Sequence, residues 1–451
     1  MSFLKKYHSI ILTLVSVVLY FLFAYTTQRT EFNQLLFLWI GLFACYVGLL
    51  KNKQSSFAYL AGIAVLFRLI FFFALPNLSQ DFYRFIWDGR MILEGLNPYL
   101  SLPETFIEQH DYPIPQAKDL YAGMGTLNGS HYTNYPPMNQ LCFFIAAVFA
   151  KNSIIGSVVV MRTIIILADI GILYFGKKLL KRLQLPVKNI FIYILNPFVI
   201  IELTGNLHFE SVMLFFLVFA LYKLHQQQWF LAGVLLACSV SVKLIPLLFL
   251  PLFFQWFVKN DASVFKGFQK LAFFYITIIA TVVLLFLPFY APELIVNYTN
   301  SVGLWFRNFE FNASFYYVAR EIGYLFRGYN EIAIIGKIIP ILTSCFLLIL
   351  TFFRKNKSLK QLLVSMLFAL SFYYFLTTTM HPWYIATLLI LSVFTRYRYA
   401  VLWSFVVILS YQAYANAPWK EHLWLVALEY IVVYSYFTWE VFIKNKTHSK
   451  N

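Results

Sequence analysis

Asp81, Arg84, Asp88 and Arg90 stand close together in one short stretch, followed by Glu94 and the turn sequence Gly95-Leu96-Asn97-Pro98. A carboxylate can take a proton from a hydroxyl, and an arginine can hold phosphate oxygens through two parallel hydrogen bonds. Asp81, Arg84 and Asp88 fall at i, i+3 and i+7, the spacing of one helix face. The Gly/Asn/Pro sequence then predicts a tight turn. Such a cluster directly after an apolar run marks a candidate working site, because charge at a membrane border is costly unless it is used or solvated.

The elements that position this cluster are apolar helices. The 451 residues are 61% hydrophobic, 20% aromatic and only 12% charged, a polytopic membrane composition. The net charge of +16 sits in short loops between apolar runs, which reads as topology and excludes nucleic acid as a partner. Cys45, Cys142, Cys238 and Cys345 all lie in apolar runs and are expected to be small buried hydrophobes, neither disulfides nor metal ligands. The first apolar run is expected to be an uncleaved span. Fourteen apolar runs between residues 8 and 442 give about 12–14 transmembrane helices in an all-α chain, with 1–451 forming a single integral membrane domain. The basic residues at 51–53, 177–188, 259–266, 354–360 and 396–398, with the tail Lys444, Lys446 and Lys450, then share one side if 136–150 lies along the interface and does not cross. Both termini are expected to be cytoplasmic. Two large extracytoplasmic loops follow, 76–153 with the acidic motif and 289–330.

The string from Asp81 to Tyr99, with Tyr135-Pro136-Pro137, resembles the GT-C glycosyltransferases. It is most similar to bacterial polyprenyl-phosphate-mannose-dependent mannosyltransferases and, more distantly, to GPI mannosyltransferase I. The resemblance extends to Lys243-Leu-Ile-Pro246 and His381-Pro382-Trp383-Tyr384. It implies interfacial helices in the first large outer loop and a sugar donor carried on a lipid phosphate. Where the family's usual pair is Asp-x-Asp or close to it, this chain has Ser79-Gln80-Asp81. No metal ligands and no cofactor are assigned on this basis; a divalent cation stays open through Asp88.

Each candidate has a plainer reading beside it. Asp81 is expected to be the general base, or else the N-cap of the helix that follows. Asp88 is expected to orient the acceptor or a cation, or to pair with Arg84 at i−4. Arg84 and Arg90 are read as phosphate ligands or as partners of the neighbouring carboxylates. Arg162, near the start of a span, is expected to pair with a loop carboxylate or Asp169. Lys243, at an outer junction between two short runs, is expected to neutralise a departing phosphate or to snorkel. His381 is expected to donate to phosphate or sugar, and the run holding Asn206 and His208 to line a sugar pocket. Tyr135 and Trp383 are expected to stack on sugar, while most outer aromatics form an interfacial belt.

These features predict a hexosyltransferase, with mannose the expected sugar. It would move the sugar from a polyprenyl-phosphate donor to a glycan, glycolipid or protein acceptor, with inversion, on the extracytoplasmic face of a bacterial inner membrane. A multi-span transporter or flippase of lipid-linked sugar would predict two related halves, which the chain lacks. A surface-glycan polymerase or ligase would place its large loop later.

Overall fold

A computed structural model describes residues 2–307, 309–416 and 419–444. Lys446 and Lys450 lie outside the described residues, as do the side chains of Lys5, Lys6 and Trp305. The protein is an all-α polytopic membrane protein. Among the described residues, seven helices are long and apolar enough to span a membrane: Tyr7–Thr26, Phe32–Lys51, Ile154–Arg182, Val264–Phe289, Ile332–Phe352, Leu359–Leu376 and Leu423–Ile443. An eighth is added if the bent pair Val187–Ile194 and Val199–Gly205, at 61°, counts as one. Of six shorter apolar helices, five fall on other expected spans, and the sixth, Pro137–Ala150, falls on the run expected along the interface. Proline explains much of the shortening. Pro197 follows Asn196 at the break of the bent pair, and Pro246 and Pro251 hold Ile245–Phe253 in tighter 3₁₀ turns. Hydropathy alone cannot separate such pieces from full spans.

Serines start several helices. Ser56 accepts from the Tyr59 amide, Ser153 accepts from the Gly156 amide, and Ser358 forms a capping box with Gln361. Hydrogen bonds sort the connections into two groups. The Ser9 and Ser55 hydroxyls bond each other, Lys188 donates to the Ser55 carbonyl, and Gln255 donates to the Arg354 carbonyl. Lys188 and Arg354 belong to basic segments expected on one side, and Ser55 adjoins another. Asn77 donates to the Thr27 carbonyl, Asn97 to the Phe289 carbonyl, and the Asn312 amide to Glu421. The first two tie the acidic-motif loop to Thr27 and Phe289, and the third joins two later connections to each other.

The expected helix over the motif is Asp81–Leu93. It ends as the sequence predicts. The Gly95 amide bonds the Ile92 carbonyl, the Leu96 amide bonds the Met91 carbonyl, and Gly95 has φ +75°. This is the Schellman pattern, and it needs a residue at ease in left-handed space. The helix packs on Pro137–Ala150, with the Phe85 and Phe143 rings stacked at 4.6 Å. Gly89 is the point of closest approach. A Cβ there would come within 2.2 Å of the Phe143 carbonyl oxygen. Gly89→Ala is expected to force the two helices apart and destabilise the protein by about 1–3 kcal/mol. Thermal unfolding of the detergent-solubilised variant checks this, and an unchanged midpoint would show that the contact relaxes freely.

Two expectations are corrected. Arg162 does not pair with a carboxylate. Its guanidinium donates to the carbonyls of Thr204, Gly205 and Phe72, satisfying the end of the π-helical turn Val199–Gly205. Asp169 instead pairs with Arg68 at 2.8 Å, deep between spans. The cysteines are not uniformly buried: Cys45 and Cys142 are, Cys238 is partly so, and Cys345 is exposed on the span Ile332–Phe352. All four are free thiols.

Candidate active site

A cavity of about 1000 Å³ opens at the motif end of the molecule. Of the residues singled out from the sequence, Asp81, Arg84, Tyr135, Lys243, His381 and Trp383 line it. Asp88, Arg90, Arg162, Asn206 and His208 do not.

Asp81 is the first residue of its helix and does not cap it. Gln80 occupies the cap position, without a side-chain cap bond. The Asp81 carboxylate accepts from the Asn128 side-chain amide at 3.3 Å, and the Ser79 side chain also bonds it. Burial pushes its pKa above the ordinary aspartate range, while Lys243, Asn128 and Arg29 pull the other way. Arg84 organises the loop that carries Asn128. Its Nη1 donates to the Asn128 and His131 carbonyls, and its Nε is 2.8 Å from Asp88. Burial, with Arg84 nearby, pushes His131 down to about 4, so it is neutral at pH 7.

Asp88 is fully buried one layer below. Its second oxygen accepts from Gln140 at 3.0 Å, and Gln140 also bonds Thr133. Both Asp88 oxygens are therefore occupied. Two helix turns, ~10.5 Å of rise, separate it from Asp81. Among the described residues there is no group of three or more His, Cys, Asp or Glu that could hold a metal ion. The acidic motif does not fit a cation shared by two carboxylates.

Arg90 donates to the Pro115 carbonyl and to the Gln116 side chain, tying down the loop 115–116. Asn206 takes the Leu78 amide and gives to the Ile201 carbonyl, which fixes the entry to the motif loop. Lys243 sits between the helix Trp229–Val240 and Ile245–Phe253, as the sequence predicts, and forms an ion pair with Glu210. The Ser241 carbonyl accepts from the Met138 and Asn139 amides, so the Lys243 turn is docked on the motif's partner helix.

Three rings form a stack at the cavity wall. Trp383 lies between His208, with centroids 3.8 Å apart, and His381, with centroids 4.5 Å apart. Burial, with Lys243 adding to it, holds His381 near 3, so its imidazole is neutral.

Sequence reasoning missed Arg29. It lines the cavity, donates to Gln80 at 3.1 Å, and stands 5.1 Å from the centroids of both Tyr414 and Trp419. The signal was present: an arginine in the turn Thr26-Thr27-Gln28-Arg29, on the side expected to be extracytoplasmic, runs against the positive-inside pattern. Glu210 was likewise noticed only as part of a polar run.

Residues 12–259 match the family model described as alpha-(1->6)-mannopyranosyltransferase, N-terminal domain. The chain belongs to this mannopyranosyltransferase family. It is also 27% identical over 203 residues to alpha-(1->6)-mannopyranosyltransferase A of Corynebacterium glutamicum, covering 44% of this chain. The matched stretch spans 38% of that relative's length. The part matched to the mannopyranosyltransferase family carries Asp81, Arg84, Glu210 and Lys243. His381, Trp383 and the Tyr414 wall lie beyond it.

Proposed function

We propose that this protein transfers a hexose, mannose by its family, from a polyprenyl-phosphate donor to a glycan hydroxyl outside the cytoplasm, with inversion at the anomeric carbon. The observation that carries this reading is one cavity lined by both charged and apolar groups. Asp81, Arg29 and Lys243 line it, and so do Leu244, Leu248 and, from the span Ile332–Phe352, Pro340 and Leu347. A phosphate with a long apolar tail suits such a lining.

In this mechanism the acceptor oxygen attacks the anomeric carbon as the bond from that carbon to the phosphate oxygen breaks. The hydroxyl proton goes to Asp81, and the departing lipid phosphate gains a negative charge beside Lys243 and Arg29. One displacement requires no covalent enzyme intermediate, which gives inversion. The pair with Glu210 keeps the Lys243 ammonium aimed at the cavity. Trp383, stacked against two imidazoles, is held rigid and sets the shape of the wall that a sugar ring would meet.

The direct test supplies purified protein with radiolabelled polyprenyl-phosphate mannose and α-mannoside acceptors. No labelled product with any of them, from a folded protein that binds the donor, would remove the reading. Lys243→Ala is expected to raise the donor KM by about ten-fold or more while leaving the acceptor KM nearly unchanged, since a charge-assisted contact contributes about 1.5–3 kcal/mol. Equal effects on both substrates would return Lys243 to a structural role. A cysteine at Asn128 is expected to react with an impermeant reagent only from outside the cell; labelling only from the cytoplasm would invert the topology proposed for the loops 76–153 and 289–330.

A further inference from the structure

A second cavity, of about 540 Å³, lies at the same end of the molecule. Its volume falls in the range of small-molecule sites. It is built from the start of the helix Phe32–Lys51, the end of the 3₁₀ segment Val407–Ala415, and the entry to the span Leu423–Thr438. The two cavities are neighbours along both chains that form them. Arg29 lines the first, and Thr30 through Gln34 line the second. Tyr414 lines the first, and Ala415 and Asn416 line the second. The Arg29 guanidinium over the Tyr414 ring joins these two pieces of wall.

Gln412 points to a ligand here. It is 3% exposed and lines this cavity, and neither its amide nitrogen nor its amide oxygen has a hydrogen-bond partner. A buried carboxamide left so is costly, and such groups in folded proteins meet a ligand or an ordered water. The remaining chemistry narrows the ligand. Asn33 adds a carboxamide, Glu31 a carboxylate, His422 an imidazole and Phe32 a ring, while the Gln34 and Asn416 amides are bonded within the protein, and among the described lining residues there is no lysine or arginine. Carboxamides both donate and accept and a carboxylate accepts, which matches adjacent hydroxyls; a carboxylate with no lysine or arginine beside it disfavours phosphate.

We propose that this cavity holds a neutral pyranose unit of the acceptor glycan, back along the chain from the hydroxyl that is extended in the main cavity. The assignment rests on the hexosyl transfer proposed above. It makes the protein a chain extender that prefers an acceptor of several sugars over a single one.

The test uses the full-length protein in lipid nanodiscs, with α-(1→6)-linked mannotriose and methyl α-mannoside as probes. Two variants block the site differently: Gln412→Leu removes the buried amide, and Asn33→Trp fills the mouth from an exposed position that leaves the core intact. Titration calorimetry is expected to show mannotriose binding at least ten-fold weaker in both variants, with methyl α-mannoside affected little. In transfer assays the KM for mannotriose is expected to rise by a similar factor, while the maximal rate is retained. Mannotriose affinity unchanged in Asn33→Trp, or no mannotriose binding by the parent protein, which would leave Gln412 to water alone, overturns the assignment. Selective binding without any sugar transfer would uphold the cavity and remove only the transfer reading.

Discussion

Asp81→Asn is expected to lower turnover by roughly 10²-fold or more, the range for losing a general base, while expression, melting and donor binding stay near the parent values. Asparagine keeps the shape of the side chain, and Asp81 caps nothing, so few structural bonds depend on its charge: the long one from Asn128 and one from Ser79. The pH dependence gives a second check. Because burial raises this carboxyl above the ordinary range, the base is progressively protonated as pH falls through that raised value. The acid limb of kcat/KM is therefore expected above the usual aspartate range, and Asp81→Asn is expected to flatten it. Full activity in this variant would remove Asp81 as the base.

Asp88→Asn is expected to act in the opposite way, through stability. Removing one partner of a buried ion pair typically costs about 3–5 kcal/mol, because the other charge stays behind unpaired. Here Arg84 would be that charge, held at 2.8 Å from Asp88 and nearly inaccessible to water. Its carbonyl contacts at 128 and 131 would loosen with it, so the loop over Asp81 should also become less ordered. The expected result is a clearly lower unfolding midpoint in detergent and poor yield. A variant that melts like the parent yet has lost turnover would move the chemistry to Asp88.

The two aspartates show what local sequence can and cannot convey. Helix, face and terminating turn over 81–99 follow from nearest neighbours: i,i+3 and i,i+4 spacing, then Gly95 and Pro98. Those rules also offered the Arg84–Asp88 pair as an alternative to catalysis, and the structure forms it. They could not decide which carboxylate reaches the cavity, because that depends on Gln140 and Asn128, far along the chain. Lys243 was legible as a cation at a helix junction, but its partner Glu210 is a tertiary fact. Arg162 misled for a related reason. A charge in a span suggests a counter-charge, whereas two carbonyls left over at a helix irregularity and a third from Phe72 satisfy a guanidinium equally well. Periodicity does not announce π or 3₁₀ turns, so those carbonyls could not be foreseen, whereas apolar runs shorter than the usual span do predict the short helices.

The ring stack at the cavity wall has a consequence for how the molecule could be divided. His208 belongs to the portion that carries the family signature, whereas Trp383 and His381 come from the remainder. The seam between the two portions thus runs through the cavity itself. A chimera that joins the first 259 residues to the rear portion of a relative would inherit the acid and the lysine intact. It would still have to supply a flat ring of the right height to sit against His208. Swapped halves of this kind should differ from their parents in which sugars they accept well before they differ in whether they can break the donor bond.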